Sequence, residues 1–211
     1  ADGRIDISGA GTALFIGGDM AGPVTIGSNL QNCHVVGNVT AALYVSGSLT
    51  RYLQPWGLQV DGAVADSITI TGALEYAHLA SVSGTIQAAD ISDLTVVAAL
   101  AGTVEATSGL ADAHFDGGIS EDANVTAVNI DRMTVTGSVE GTVYASGTLN
   151  GLTFGTGGTF ELLSPGVIET DTLAGLVQLA DETSGSVLVL GDLTGSLLIV
   201  ASALPNPPNP D

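Results

Sequence analysis

Lysine is absent from the chain, and only three arginines, Arg4, Arg51 and Arg132, stand against 22 aspartates and glutamates, for a formal net charge of −19. A surface this acidic repels phosphate backbones, which excludes nucleic acid as a partner. Cys33 is the single cysteine, so no disulfide can form within the chain. No run of eighteen apolar residues occurs, which excludes a membrane-spanning helix. Aromatic residues are scarce at 4% of 211 positions, while 29 glycines punctuate runs of Val, Ile, Thr and Leu, a mixture that favours short strands and tight turns. An initiator Met and a signal peptide are also missing before Ala1. That suggests a processed mature protein or an excised fragment, and a secreted protein without its leader fits.

What the chain does contain is one unit repeated from end to end: apolar-x-apolar-x-Gly-x-Leu, then a small polar turn. Val187-Leu-Val-Leu-Gly-Asp-Leu-Thr-Gly-Ser-Leu197-Leu-Ile-Val states it twice at a spacing of ten residues. Leu43-Tyr-Val-Ser-Gly-Ser-Leu49, Ile68-Thr-Ile-Thr-Gly-Ala-Leu74 and Met133-Thr-Val-Thr-Gly-Ser-Val139 restate it. A unit of nine to eleven residues cannot hold a strand and a helix, so each must be one strand and one corner. The first and third positions are apolar and face inward; the second faces out. The uninterrupted period argues for a single β-solenoid domain over residues 1–204, with 205–211 as a Pro/Asn-rich tail.

The outward position is the guide to how many strands make one coil. Strand starts at every third unit give Thr25, Gln59, Thr95, Thr126, Thr153 and Gln178, all polar and uncharged. The next series gives Phe15, Tyr44, Ser81, Phe115, Tyr144, Ile168 and Leu198, and the third is mixed. Sorting by threes separates these classes. The expectation is a right-handed parallel β-solenoid of three strands per coil, about 30 residues each, with roughly seven coils and no helical caps. Right-handedness follows the usual hand of parallel crossovers. Segments 51–57, 87–93 and 120–124 read as insertions at one corner beside an aromatic face.

The Gly191-Asp-Leu-Thr-Gly-Ser196 turn, set within Val-Leu-Val-Leu and Leu-Leu-Ile-Val, resembles the repeats of bacterial extracellular β-solenoids, the class that includes large cell-surface proteins and adhesins. The resemblance covers residues 5–203. It implies a parallel β-helix, a secreted or cell-surface setting, and an adhesive or structural role without a specified ligand.

Chemistry is sparse. A lyase for acidic sugars needs basic groups that three scattered arginines do not supply. Carboxylates such as Asp116, Glu169, Glu105 and Glu161 are plentiful, but nothing singles out a pair, so no enzyme is expected. His34, His78 and His114 fall in different coils, His34 and His114 at interior positions, and read as structural rather than as one metal site. Cys33 reads as a small apolar residue at a corner. No obligate cofactor is expected; the alternative is calcium, at Asp116, Glu121 and Asp122 or at Asp90 and Asp93. The sequons at Asn38 and Asn124 permit glycosylation.

Self-assembly is the sharper expectation. A solenoid has a sheet edge at each end, and here neither end carries a helical cap pattern. Stacking would involve Ile5, Ile7, Leu197 and Ile199 at the ends, with Phe15, Tyr44, Phe115, Tyr144 and Leu198 as a lateral stripe and Pro205, Pro207 and Pro208 bracing the joint. The expected partner is a second copy, forming a homopolymer. The alternative is an adhesin segment whose corner loop, with Tyr52 and Trp56, grips a glycan or a cell surface.

Overall fold

Alternating Val, Ile and Leu with polar residues makes each short strand apolar on one side and wet on the other, and a parallel sheet that winds around its own axis gives every apolar side an interior to fill. The structure, a computed structural model, describes residues 3–52, 57–136, 139–154, 167–180, 186–189 and 196–200, with side chains as far as residue 146. The early strands are β1 (Ile5–Ile7), β2 (Gly11–Ile16), β3 (Val24–Ile26), β4 (Leu30–Val35), β5 (Leu43–Val45), β6 (Leu58–Val64), β7 (Ser67–Leu74) and β8 (Ala77–Val82). They continue as β9 (Thr85–Ile91), β10 (Leu94–Val96), β11 (Thr103–Phe115), β12 (Asn124–Val135), β13 (Thr142–Phe154), β14 (Val167–Ala180), β15 (Ser186–Val189) and β16 (Ser196–Val200). All pair in parallel, and no helix occurs among the described residues. The chain is an all-β parallel β-solenoid.

Register defines the turn. One ladder runs Ile5, Val24, Leu43, Ile68, Ile86, Val104, Val125, Val143, which is seven turns. A second runs Leu14, Cys33, Leu58, Ala77, Leu94, Ala113, Met133, Leu152 half a turn away. Between them, single apolar residues form two corner ladders. Met20, Val39, Val64, Val82, Leu100, Ile119 and Val139 make one. Leu30, Leu49, Leu74, Ile91, Leu110 and Ile130 make the other. From Met20 to Val143 the side chains of these ladders are almost completely buried, the larger ones each worth about 1.5–3 kcal/mol by transfer from water. At the spacing of stacked strands the seven steps from Ile5 to Val143 span roughly 34 Å.

This register replaces the three-strand, thirty-residue coil. Partners in neighbouring turns are 17 residues apart at the least (Ala77 to Leu94) and 25 at the most (Leu43 to Ile68), so a turn holds two repeat units. Part of the difference is β9, whose inward Ile86 the thirty-residue count passes over, and part is a slip of one residue at two strands. Counting from His34 and His114 places Val35 and Phe115 outside, whereas the strands count from Cys33 and Ala113, and both Val35 and Phe115 are fully buried. A slip of one turns every side chain of a strand to the opposite face.

The insertions separate as well. Residues 51–57 follow the Leu49 corner, 120–124 follow the opposite corner at Ile119, and 87–93 are not an insertion: β9 runs through Ile91, paired on both sides. Where turns approach most closely only glycine fits. A Cβ on Gly102 would collide with the carbonyl oxygen of Gly84 in the turn before it.

Candidate functional site: the open end and two outer faces

Among the described residues nothing covers the first turn, and its interior side chains are partly exposed. Among the described residues β1 pairs only with β3, and β2 only with β4. Ile5 is 38% exposed, and Ile7, Leu14 and Ile16 are half-buried, while Val24 and Ile26 one turn on are sealed. Gly11 stands opposite Leu30, so the first turn lacks one corner side chain. At the other corner of this turn an open depression of about 190 Å³ is lined by Ile5, Ile16, Met20 and Val24 among others.

The far end repeats the arrangement in its backbone. The first ladder continues through Ile168 to Val187 in β15, the second through Val177 to Leu197 in β16, and both strands pair only with β14 among the described residues. In register, Leu198 pairs with Gln178 and Ile199 with Leu179.

The outward residues of the second ladder are Phe15, His34, Gln59, His78, Thr95, His114 and Thr134. All three histidines of the chain thus share one line on the surface, and His34 and His114 are outward rather than interior. The Phe15 ring meets His34 edge-on, centroids 5.3 Å apart. His34 Nε2 lies 2.8 Å from Asp61 Oδ2, and Gln59 Nε2 donates to Asp61 Oδ1 at 2.8 Å. Further along, Arg132 Nε donates to Asp112 Oδ1 at 3.0 Å and its Nη2 grips Oδ2, while His114 Nε2 lies 3.2 Å from Asp112 Oδ1.

These donors hold both carboxyls below the ordinary range: Asp61 through Gln59 first and then His34, Asp112 through Arg132 first, with His114 adding to it. A depressed folded pKa contributes stability that is present above the unfolded value, about 3.9, and lost as pH falls through the folded value. Asp112→Asn should therefore be less stable than the parent at neutral pH, with the difference shrinking below about pH 4; denaturant unfolding at both pH values measures it.

Cys33 is not a corner residue. It lies on the second inner ladder, fully buried, and burial pushes its thiol up to about 12. A thiol so placed should resist a disulfide reagent at roughly pH 8 in the folded chain and react promptly once guanidinium unfolds it.

The first ladder faces outward with Asp6, Thr25, Tyr44, Thr69, Gln87, Glu105, Thr126 and Tyr144. Ser67 and Thr71, Thr103 and Thr107, and Thr142 and Ser146 flank this line on their own strands. From Thr25 to Tyr144 only Glu105 on that line is charged. Gln87 Nε2 donates to Glu105 Oε2 at 3.0 Å. Between Glu105 and Tyr144, over Thr126, lies a shallow depression of about 370 Å³.

The expected aromatic stripe therefore does not form. Phe15, 64% exposed, lies on the histidine line; Tyr44 and Tyr144 lie on the threonine line; Phe115 is inside, between Val96 and Val135. Tyr52 is 62% exposed, and its neighbour Arg51 is anchored by its N–H to Glu75 Oε2 at 2.9 Å and by its guanidinium 5.5 Å above the Tyr76 ring. Trp56, Pro205, Pro207 and Pro208 lie outside the described residues, as do the side chains of Leu197, Leu198 and Ile199. Among the described residues no three His, Cys, Asp or Glu gather as metal ligands, so Asp116, Glu121 and Asp122 are not brought together, nor are Asp90 and Asp93 with a third. The histidine line was detectable from spacing: Phe15 to His34, Gln59 to His78 and Thr95 to His114 are each one nineteen-residue step.

No family model, no curated protein and no solved structure matches the chain.

Proposed function

We propose that this chain is a non-enzymatic structural protein of the cell exterior that assembles end to end into filaments. One observation carries the reading: the two ends present the same pair of strands. At one end β1 and β2 offer the first and second ladders with an edge that no other described strand covers; at the other, β15 and β16 offer the same ladders in the same order. A copy placed on a copy continues both ladders, gives the edge N–H and C=O groups partners, and covers the apolar mouth at Ile5 and Ile16. Because the two contacting surfaces differ, the contact does not close into a ring unless the copies rotate, and a filament follows. Right-handed winding is the hand proposed for each turn. Phe15, on the histidine line, is the proposed lateral contact, and Pro205, Pro207 and Pro208 the proposed brace across the joint. The acidic surface sets the conditions: copies of charge −19 repel until salt or divalent cations screen them.

Negative-stain electron microscopy over a concentration series, with and without added salt and calcium, tests this. Filaments with an axial repeat of one solenoid length are expected; isolated short rods at every concentration would overturn it. The exposure of Tyr52 on the 51–57 corner favours a second reading, an adhesin segment that holds a glycan through that loop together with Trp56. Trp56→Ala with unchanged glycan binding would remove that role from the loop.

A further inference from the structure

We infer that the threonine line on the first face is a binding strip for a neutral carbohydrate chain, independent of end-to-end assembly and of the Tyr52 loop. Six consecutive turns place Tyr44, Thr69, Gln87, Glu105, Thr126 and Tyr144 in register. The order is symmetric: an aromatic ring, a short threonine, two hydrogen-bonding groups in the middle, a threonine, a second ring. Tall side chains two turns apart with a short one between leave a slot. At about 4.8 Å per turn the slot is roughly 10 Å from centre to centre, and from Tyr44 to Tyr144 the strip runs roughly 24 Å. The depression over Thr126, floored by Ala127 and edged by Thr107, Val128 and Ser146, is one such slot.

The chemistry fits a sugar ring. A pyranose carries apolar C–H groups on its faces and hydroxyls on its rim. The C–H face suits the electron-rich face of Tyr144 or Tyr44, and the rim suits Glu105, Gln87 and the threonine hydroxyls. Glu105 has acceptor capacity beyond the bond from Gln87, since a carboxylate offers about four lone-pair sites. Charge then narrows the class. On a chain of −19 an acidic polysaccharide would be repelled, and the arginine held at Asp112 lies on the other face, so an uncharged glycan is selected. A protein partner is a poorer fit. The strip lies on a sheet surface whose backbone groups are already paired, and Tyr44 and Val128, each 40% exposed, are too little apolar area for the core of an interface.

Affinity electrophoresis of the full chain through gels containing hydroxyethyl cellulose, xylan, soluble glucan or, as the acidic control, polygalacturonate tests the inference. Retardation by at least one neutral polymer and none by polygalacturonate is expected. Tyr44→Ala with Tyr144→Ala should weaken binding by tenfold or more, Glu105→Gln by a smaller factor, and Tyr52→Ala should leave it unchanged. All of these residues face solvent, and circular dichroism with thermal unfolding confirms that each variant folds. Absence of retardation by every neutral polymer, preference for polygalacturonate, or full binding by the folded double-tyrosine variant would overturn it. Loss on Tyr52→Ala alone would also overturn it and move the site to the corner loop.

Discussion

Phe115→Ala is expected to remove about 3–5 kcal/mol of unfolding free energy, while Phe15→Ala should change it by no more than about 0.5 kcal/mol. The two phenylalanines look equivalent in the sequence, each next to a strand start of the same unit. Their surroundings are opposite: Phe15 is 64% exposed and touches His34 with one ring edge, whereas Phe115 is the largest fully buried side chain among the described residues. Val96 precedes it and Val135 follows it on the inner ladder, and both belong to turns tied by their own backbone hydrogen bonds. Those turns cannot collapse into the space a ring leaves, so the cavity persists and adds to the lost transfer energy. Guanidinium unfolding of both variants measures the difference. Equal effects would mean that β11 is turned over, with His114 inside.

The contrast also shows what was legible. Alternation of apolar and polar residues across units such as Ile68-Thr-Ile and Leu94-Thr-Val marked strands and their inward side, and the ten-residue period marked a solenoid, because both depend on local pattern. The number of units per turn depends on which residues stack at long range. There the period is hidden by the extra residues after Leu49, which stretch one step of each ladder to 25, and by strands such as β4, whose Cys33-His-Val35 core positions include a cysteine that does not stand out as apolar. Once Cys33 and Ala113 are recognised as inward, the nineteen-residue step follows and the three histidines align. The threonine strip was partly legible: Thr25 and Thr126 were placed outward, but Tyr44 and Tyr144 were assigned to another side, so the slot between Tyr144 and Glu105 had no sequence signal. It exists only because the turn is two units long.

Ile5→Glu and Ile5→Lys should both abolish filaments under conditions in which the parent forms them. Ile5 suits this test because it is already 38% exposed at the rim of the first turn, so a charged residue there meets water in the single copy and costs little stability. In the proposed joint the same position is covered by the next copy, and an unpaired charge buried there costs about 3–5 kcal/mol, enough to raise the critical concentration by roughly two to four orders of magnitude. Using both signs separates two causes of failure. The substitutions move the net charge from −19 to −20 or to −18, so if long-range repulsion governs assembly, lysine should favour filaments while glutamate opposes them. If apolar contact at the first turn governs assembly, both should fail alike, and added salt should rescue neither, because screening lowers repulsion between exposed charges without restoring the water stripped from a buried one. Sedimentation of the polymer across a concentration and salt series distinguishes them. Filaments of parental abundance from both variants would mean that the joint lies elsewhere than the Ile5 end.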